Sequence, residues 1–251
     1  MPETASVAVT RLAATILVLR DDPFEVLMVR RHGSGQFASA LVFPGGVVDP
    51  ADRSDAWLPL IDDVGDFDAN ERVLRIAAFR ETFEEASLLL GRGSDGRAVP
   101  CRSDDRNDFH AVVAASGGRL QLGDLARFGH WVTPEVAPKR FDTHFFLCRA
   151  PAGQEAVCDG GETVALEWVS PRDALDRAAA GERSILFPTR MNLKRLAESS
   201  DAAGAIAAAL ARERFTVTPR VEKRADGMLV IIPAAAGYGE TENFHPHEDR
   251  R

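Results

Sequence analysis

Residues 75–91 read RIAAFRETFEEASLLLG and place three carboxylates, Glu81, Glu84 and Glu85, inside an otherwise apolar helical pattern. At about 100° per residue the glutamates cluster on one side of the helix, opposite an apolar stripe. That stripe consists of Ile76, Phe79, Phe83, Ala86 and Leu90. The pattern predicts a helix that begins after a capping box at Asp68 and Glu71, buries one face, presents three acids on the other and ends near Gly91.

Two interpretations of the acidic face stay open at this point. Such charge clusters are commonly solvated, and Arg80 with Glu84 would form an ordinary i, i+4 ion pair. A bound cation is the alternative, because like charges this close repel one another more strongly once they are partly dehydrated. A Gly-Gly bend in FPGGVVDPAD, residues 43–52, could add carbonyl oxygens. Carboxylate and carbonyl oxygens together suit Mg²⁺ or Mn²⁺.

Strand and helix patterns surround this segment. A hairpin is predicted at residues 11–31, a short strand broken by Pro-Gly-Gly at 40–49, and a last strand at 227–233. Three further strands are predicted at residues 128–134, 140–150 and 163–170, and helices at 171–180, 189–198 and 202–212. Strands that flank one strongly patterned helix, with other helices placed late, indicate an α/β or α+β fold with a mixed sheet.

Length and composition limit the class of protein. We expect one domain over residues 1–236 and a polar, mobile tail over 237–251. The 45% hydrophobic content without a run of about 18–20 apolar residues excludes membrane spans. The net charge of -8 argues against a nucleic-acid partner. The three cysteines lack CxxC spacing, which argues against a disulfide framework or zinc site and favours the reducing cytoplasm.

The FPGG bend followed by RETFEEASLL resembles the signature of the Nudix hydrolases, in which G, five residues, E and seven residues precede R-E-U-x-E-E-x-G-U, with U apolar. The matching positions are Gly46 for the opening glycine, Arg80 and Glu81, Glu84 and Glu85, and Leu88 for the final apolar residue. There are departures: Asp52 stands at the first Glu position, Thr82 at an apolar position and Ser87 at the helix-ending Gly. Residues 53–79 stand where the pattern has seven positions, so the motif carries an insertion.

Residues 12–196 are similar to the coenzyme A diphosphatase branch of this superfamily, which has inserted boxes. The resemblance implies an α/β/α sandwich with a mixed central sheet and extra helices over about residues 189–212. It implies an enzyme that hydrolyses a nucleoside diphosphate linked to another group, with coenzyme A or an acyl derivative as the leading substrate. Another nucleotide pyrophosphate, such as a nucleotide sugar, a dinucleotide or an oxidised nucleotide, is the alternative, and a non-catalytic nucleotide sensor is a further one. A homodimer is also implied.

The resemblance assigns roles to individual residues. It implies that Mg²⁺, or Mn²⁺ as a substitute, is held by Glu81, Glu84, Glu85 and the Gly46 carbonyl, and that Arg80 orients a glutamate. The general base would be Glu81 or Glu162, which lies six residues before Trp168. For Glu162 a solvated loop position is the alternative.

Substrate contacts are less constrained by the pattern. Arg30, Arg31 and Arg140 could bind phosphate groups, but a structural role at a strand end is the favoured interpretation of each. His32 and His144 lack metal-ligand spacing and are interpreted as surface or packing residues.

Overall fold

A computed structural model describes residues 8–31, 40–101, 108–158 and 163–247, with the backbone alone at positions 31, 163 and 164. The described residues form five α-helices: α1 (Ala69–Ala86), α2 (Phe109–Ser116), α3 (Pro171–Ala179), α4 (Phe187–Leu196) and α5 (Ala202–Ala211). Their strands are β1 (Thr10–Arg20), β2 (Glu25–Arg31), β3 (Leu41–Val42), β4 (Gly45–Val47), β5 (Ile61–Asp62), β6 (Gly91–Arg92), β7 (Arg119–Gln121), β8 (Ala126–Val132), β9 (Arg140–Arg149), β10 (Thr163–Val169), β11 (Thr216–Val217), β12 (Arg220–Lys223), β13 (Gly227–Ile231) and β14 (Glu242–Pro246).

The central sheet has the strand order β10-β2-β1-β9-β8-β11, with β3 attached to β2 and β4 attached to β1. The pairs β1–β9 and β8–β11 are parallel, and the other pairs are antiparallel. The predicted mixed sheet is therefore confirmed. Because β4 pairs with the first half of β1, the Gly-Gly bend lies near the middle of the sheet.

Two apolar layers cover the two faces of this sheet. Along β1, Ile16 and Val18 pack in the cluster that includes α1, whereas Leu17 and Leu19 pack in the cluster formed with α4 and α5. This alternation follows from the two-residue period of a strand. The α/β/α sandwich and the extra C-terminal helices predicted from the sequence are confirmed, since α4 and α5 fill the second layer. Among the described residues, no helix combines the length and apolarity that a membrane span requires.

The inserted residues 53–79 build a small lobe and lengthen the box helix. Two short 3-10 turns, Pro50–Arg53 and Asp55–Leu60, lead into β5, which pairs with β7 in a separate three-stranded sheet. Trp57 anchors the lobe, because its ring is buried 5.4 Å from that of Phe109 and its Nε1–H donates to the Ala51 carbonyl at 3.0 Å. The insertion therefore leaves the relative spacing of the box glutamates unchanged.

The box helix ends earlier than the sequence predicts, at Ala86 rather than near Gly91. Ser87 takes a left-handed conformation with φ of 56°, and its N–H donates to the Phe83 carbonyl. The next apolar residues are buried but lie in no helix or strand, and Gln154 bonds both the N–H and the carbonyl of Leu89 at 2.8 Å. The spacing of apolar residues at 88–90 predicted a continued helix. Core packing and the hydrogen bonds of Gln154 hold these residues outside the helix instead.

The predicted C-terminal organisation also needs correction over residues 237–247. β13 is followed by β14, which pairs with it along five residues. Tyr238 is buried, and its hydroxyl accepts a hydrogen bond from Trp131 Nε1 at 3.0 Å. The polar composition predicted a mobile tail, whereas β13–β14 pairing and the buried Tyr238 attach this segment to the rest of the domain. Residues 248–251 lie outside the described ranges.

Candidate functional site

The Gly45–Gly46 bend brings main chain directly against the box helix. Gly46 pairs with Ala14 of β1, and Gly45 pairs with Thr15. A Cβ on Gly46 would lie 2.4 Å from Oε1 of Glu81, and a Cβ on Gly45 would lie 2.6 Å from the Ala14 carbonyl oxygen. At Gly45 the obstacle is main chain, so no other residue fits there, whereas a side chain at Gly46 would displace the Glu81 carboxylate. The bend predicted to meet the acidic helix does so.

The box glutamates are more buried than the sequence pattern suggested. Glu81 and Glu85 are 9% and 4% exposed, while Glu84 is half-buried. The Gly45 N–H donates to Oε2 of Glu85 at 3.0 Å. The interpretation of a freely solvated acidic face is wrong for this helix, because β4 and the Pro50–Arg53 turn cover the side that carries the acids. Three carboxylates are thus held together at low exposure.

Arg80 stands at the centre of these acids. Its Nη1 donates to Oε1 of Glu81 and to Oε2 of Glu84, both at 2.8 Å. Its Nε and Nη2 donate to the two oxygens of Asp52 at 2.9 and 3.0 Å, and Nη2 also reaches the Val47 carbonyl at 3.1 Å. Burial opposes the charge on this guanidinium, but its carboxylate partners hold its pKa above the usual range. One cation therefore orients two box glutamates.

Asp52 occupies the first Glu position of the family pattern, and it holds Arg80. Its side chain is fully buried and accepts a hydrogen bond from the Asp49 N–H at 2.8 Å, as part of a capping box at the Pro50–Arg53 turn. This anchoring fixes the carboxylate where both of its oxygens meet the guanidinium. A shorter acid thereby reaches Arg80 in spite of the insertion that follows it.

The electrostatics of the cluster favour a bound cation. Burial raises the pKa of Glu81 to about 7, with Glu85 and Glu84 adding to the rise and Arg80 opposing it. Burial also raises the pKa of Glu84, again against the effect of Arg80. A divalent cation would relieve this repulsion, since a positive charge stabilises the ionised form of each carboxylate.

The donor set fits a hard divalent metal ion. Glu81, Glu84 and Glu85 offer carboxylate oxygens, and Gly46 offers a carbonyl next to the first of them. Oxygen donors of this kind, with room for substrate phosphates, are typical of Mg²⁺ sites. The four residues remain the predicted ligand set.

The structure describes the side chains of only two of the other residues predicted to act here, Arg140 and Arg30. Glu162 lies outside the described residues, and the side chain of Arg31 is not described. Arg140 donates to two main-chain carbonyls, those of Thr133 at 3.3 Å and Ala8 at 3.4 Å, which favours its structural alternative. Arg30 is half-buried on β2. In this part of the sheet β2 pairs with β3 and β1 pairs with β4, so β3 and β4 lie between Arg30 and β1.

A second polar cluster, which the sequence interpretation missed, lies on β8 and β9. Nε2 of His130 lies 2.5 Å from Oδ1 of Asp142, and Nε2 of His144 lies 3.4 Å from the same oxygen. The two imidazole rings stack with centroids 3.9 Å apart, and Thr216 Oγ1 lies 2.8 Å from His130 Nδ1. One possible ligand atom from each of His130, Asp142 and His144 lies within 4.8 Å of the other two, so these three residues have the spacing of a metal site.

His144 packs on the His130 ring, in agreement with the packing interpretation, and it also lies 3.4 Å from Asp142, which the sequence did not indicate. The available signal was the two-residue spacing of Asp142 and His144, which places both on one face of a strand. The partner His130 becomes visible only from the pairing of β8 with β9.

Strand register relates this cluster to the box site. Gly46 pairs with Ala14, Ala14 with His144, and His144 with His130, which makes one row across four strands. At about 4.8 Å per strand, His144 lies roughly 10 Å from Gly46. Both clusters consequently belong to the sheet face that carries α1.

Comparison with known proteins agrees with this geometry. The family described as the NUDT19 Nudix domain matches residues 62–196. A putative nudix hydrolase 7 of Caenorhabditis elegans is 28% identical over 199 residues, which cover 76% of this chain and 62% of that protein. The acyl-coenzyme A diphosphatase NUDT19 of Homo sapiens is 27% identical over 280 residues, covering 88% of this chain and 74% of that protein. The chain thus spans less than two thirds of the length of the worm relative.

A solved structure gives the same result. The crystal structure of a NUDIX hydrolase from Alicyclobacillus acidocaldarius superposes with a TM-score of 0.70 at 33% sequence identity, covering 80% of this chain and 97% of that one. The matched family covers more than half of the chain and includes the box helix with its three glutamates. The chain therefore belongs to the Nudix hydrolases, within the NUDT19 Nudix domain family.

Proposed function

We propose that this protein is a diphosphatase that uses a divalent metal to hydrolyse the pyrophosphate of a nucleoside diphosphate linked to another group. The observation that carries the proposal is the convergence of Glu81 and Glu84 on Arg80, directly against the Gly46 main chain. Buried carboxylates crowded in this way are costly unless a cation or a reaction uses them.

The side chains divide the work of such a site. Mg²⁺, or Mn²⁺ in its place, supplies positive charge at the phosphate oxygens and makes water a better nucleophile. Asp52 holds Arg80, and Arg80 holds two glutamates in place. Glu81, which would also hold the metal, is one candidate for the general base. Glu162 stays the second candidate for the general base.

We propose a coenzyme A type substrate, either coenzyme A itself or an acyl derivative. Support comes from relatives named acyl-coenzyme A diphosphatase NUDT19 in Homo sapiens and in Gallus gallus, the latter 28% identical over 237 residues. Cleavage would yield adenosine 3′,5′-bisphosphate and a phosphopantetheine. The alternative substrates are a nucleotide sugar, a dinucleotide and an oxidised nucleotide. A non-catalytic sensor is disfavoured, because all three box glutamates are present.

Turnover of a substrate panel tests the proposal. The purified chain with Mg²⁺ is offered coenzyme A, an acyl-coenzyme A, a nucleotide sugar and a dinucleoside polyphosphate, and products are identified by mass spectrometry. We expect phosphopantetheine release from the first two. Glu85→Gln should lower kcat by more than the roughly 10–100-fold typical of residues that only support a metal ligand.

Glu182→Gln serves as the matched control, because Glu182 is exposed in the turn after α3. Hydrolysis that Glu85→Gln leaves unchanged across the panel would contradict the proposed metal site. Brisk turnover of another pyrophosphate without turnover of coenzyme A would replace the substrate assignment. A cytoplasmic location and a homodimer stay predictions, and light scattering on the purified chain tests the second.

A further inference from the structure

Two strands of the central sheet bring two histidines and an aspartate together at the wall of a cavity of about 470 Å³ beside β8. His130 of β8 and His144 of β9 stand directly opposite each other in the strand pairing. Asp142 precedes His144 by two residues and so lies on the same face of β9. Residues opposite each other on paired strands have Cβ atoms about 4.5–5.5 Å apart. The backbone therefore holds three potential metal ligands close together.

The distances between the ligand atoms are near those of a zinc site. Nε2 of His144 lies 3.4 Å from Oδ1 of Asp142, and Nε2 of His130 lies 2.5 Å from the same oxygen. With tetrahedral angles and metal–ligand bonds of about 2.0–2.1 Å, two ligands of one ion lie about 3.3 Å apart. The first distance already has this value. The second would lengthen by roughly 0.8 Å as an ion replaces the proton between the two groups.

The two imidazole rings must rotate slightly to share one ion. They stack with centroids 3.9 Å apart and planes 22° from parallel. The χ2 torsion of histidine is broad, so each ring can turn about it at low cost. The Asp142 carboxylate lies at the Nε2 end of both rings, and this is where an ion would be bound.

Thr216 of β11 supports the ring of His130 from its other side. Its Oγ1 lies 2.8 Å from Nδ1 of His130, and β11 pairs with β8 at this same residue. A hydroxyl both donates and accepts hydrogen bonds, so it can hold the tautomer in which Nδ1 carries the proton and Nε2 is free for a metal. Histidine ligands in metal proteins almost always have such a partner on their second nitrogen.

Charge and accessibility at the cluster are compatible with a divalent cation. Asp142 supplies one negative charge. Arg127 acts electrostatically on His144, but its guanidinium donates to the Glu71 carboxylate at 2.6 Å, which offsets that charge. The side chains of the three ligands are between 21% and 34% exposed, so an ion reaches them from solvent without rearrangement of the core.

We propose that His130, Asp142 and His144 bind a zinc ion at a site separate from the box glutamates. Two imidazole nitrogens and one carboxylate suit Zn²⁺, whereas the box offers oxygen atoms alone, which suit Mg²⁺. Three protein ligands leave a fourth position for water, and the cavity that both histidines line gives room for it. The ion joins β8 to β9 and, through Thr216, to the short edge strand β11. The site does not depend on the proposed hydrolysis.

Metal binding by the full chain tests the site without any substrate. The untagged chain is stripped with a chelator and titrated with Zn²⁺ in excess Mg²⁺, which occupies the box glutamates. We expect equilibrium dialysis and elemental analysis to find one bound equivalent of Zn²⁺. His144→Ala and Asp142→Asn should each abolish this binding, and Thr216→Val should weaken it by about 10–100-fold.

His247→Ala is the matched control, because His247 is exposed and lies outside the cluster. It should bind Zn²⁺ as wild type does, and so should Glu85→Gln, which removes a predicted box ligand. Zinc binding that Glu85→Gln abolishes and His144→Ala leaves unchanged would place the ion at the box and overturn the site. Absence of Zn²⁺ binding to wild type would overturn it as well.

Two measurements on wild type alone keep the test decisive if the variants do not fold. Zinc X-ray absorption of the loaded chain should show two imidazole ligands, and a spectrum with oxygen ligands alone would contradict the site. In excess Mg²⁺, Zn²⁺ at about 100 times its Kd should raise the midpoint of thermal unfolding by about 5–10 °C. An unchanged midpoint would contradict a metal that joins β8, β9 and β11.

Discussion

At the scale of residues, the site depends on one guanidinium. Arg80 contacts Asp52 on one side and Glu81 and Glu84 on the other, so a chain of ion pairs runs from the Pro50–Arg53 turn to the box glutamates. Arg80, Asp52 and Glu81 are largely buried and Glu84 is half-buried, so an unpaired charge here would be expensive. The arrangement leaves more negative than positive charge, which is the condition that a bound cation would correct.

The raised pKa of Glu81 predicts a specific pH dependence of stability. The folded state holds this proton up to about pH 7, whereas the unfolded state releases it near 4.5, so the folded state binds more protons between these values. The free energy of unfolding of the metal-free protein should therefore fall as pH rises through that window, by up to about 3 kcal/mol. In Glu81→Gln this loss of stability with rising pH should be absent. Urea unfolding of both proteins in the presence of a chelator measures the free energy of unfolding at each pH.

Two further observations accompany that measurement. At pH 8 the metal-free variant should be more stable than wild type, and Mg²⁺ should stabilise wild type but not the variant. Glu182→Gln, an exposed change, should follow the wild-type curve. Parallel stability curves for wild type and Glu81→Gln would contradict the burial of an ionised Glu81.

At the scale of elements, α1 is defined by its two ends. Asp68 accepts a hydrogen bond from the Glu71 N–H at 2.8 Å, as the predicted N-cap, but the Glu71 side chain turns to Arg75 and does not complete the capping box. At the other end Ser87 takes the left-handed conformation that the family pattern assigns to glycine. Both ends place residues 81–85 beside the Gly-Gly bend, where Glu81 meets Gly46 and Glu85 meets Gly45.

Substitutions at the C-cap test the cost of that left-handed residue. A non-glycine residue in this conformation costs about 1–2 kcal/mol, which Ser87 offsets in part by donating to the Val157 carbonyl at 3.2 Å. We expect Ser87→Gly to be more stable than Ser87→Ala by about 1 kcal/mol, because only glycine relieves the strain. Thermal unfolding of the two variants measures the difference. An alanine variant as stable as the glycine variant would contradict the assigned backbone conformation.

At the scale of the whole molecule, the C-terminal segment completes the second layer. Tyr238 bonds Trp131 of β8 and Asn192 of α4, and Glu240 forms ion pairs with Arg190 at 2.7 Å and with Lys194. These contacts join the central sheet, α4 and the chain that follows β13. Gly237 and Tyr238 of the same segment line a cavity of about 470 Å³ beside β8.

Truncation tests this closing role. Tyr238→Phe leaves the buried Trp131 N–H without its partner and should lower the free energy of unfolding by about 1–3 kcal/mol. Removal of residues 237–251 should cost more than that, because the ion pairs of Glu240 and the β13–β14 pairing are lost as well. Calorimetric unfolding measures both. Removal of residues 248–251 alone is the control, and a loss as large as that of the longer truncation would contradict the role of Tyr238.

Local patterns were sufficient for most elements of the fold. The hairpin, the broken strand before the bend and the strands of the second half follow from alternation and turn residues, since both act over a few positions. Errors occurred where distant partners override local preference. Leu89 lies outside the helix, where Gln154 bonds its main chain, and β14 forms because β13 offers an edge.

The sequence by itself determined the box helix, the spacing of Glu81, Glu84 and Glu85 and the need for glycine at the bend, because each depends on residues close together in the chain. Only the tertiary structure decided the rest. The pairing of Arg80 with Asp52 crosses 28 positions, and the His130–His144 contact depends on strand register. Chain packing also gathers arginines from α1, β8, α4 and the segment after α5 around one cavity beside β8. Burial then sets the strength of the interactions between these charges, which a local sequence pattern does not reveal.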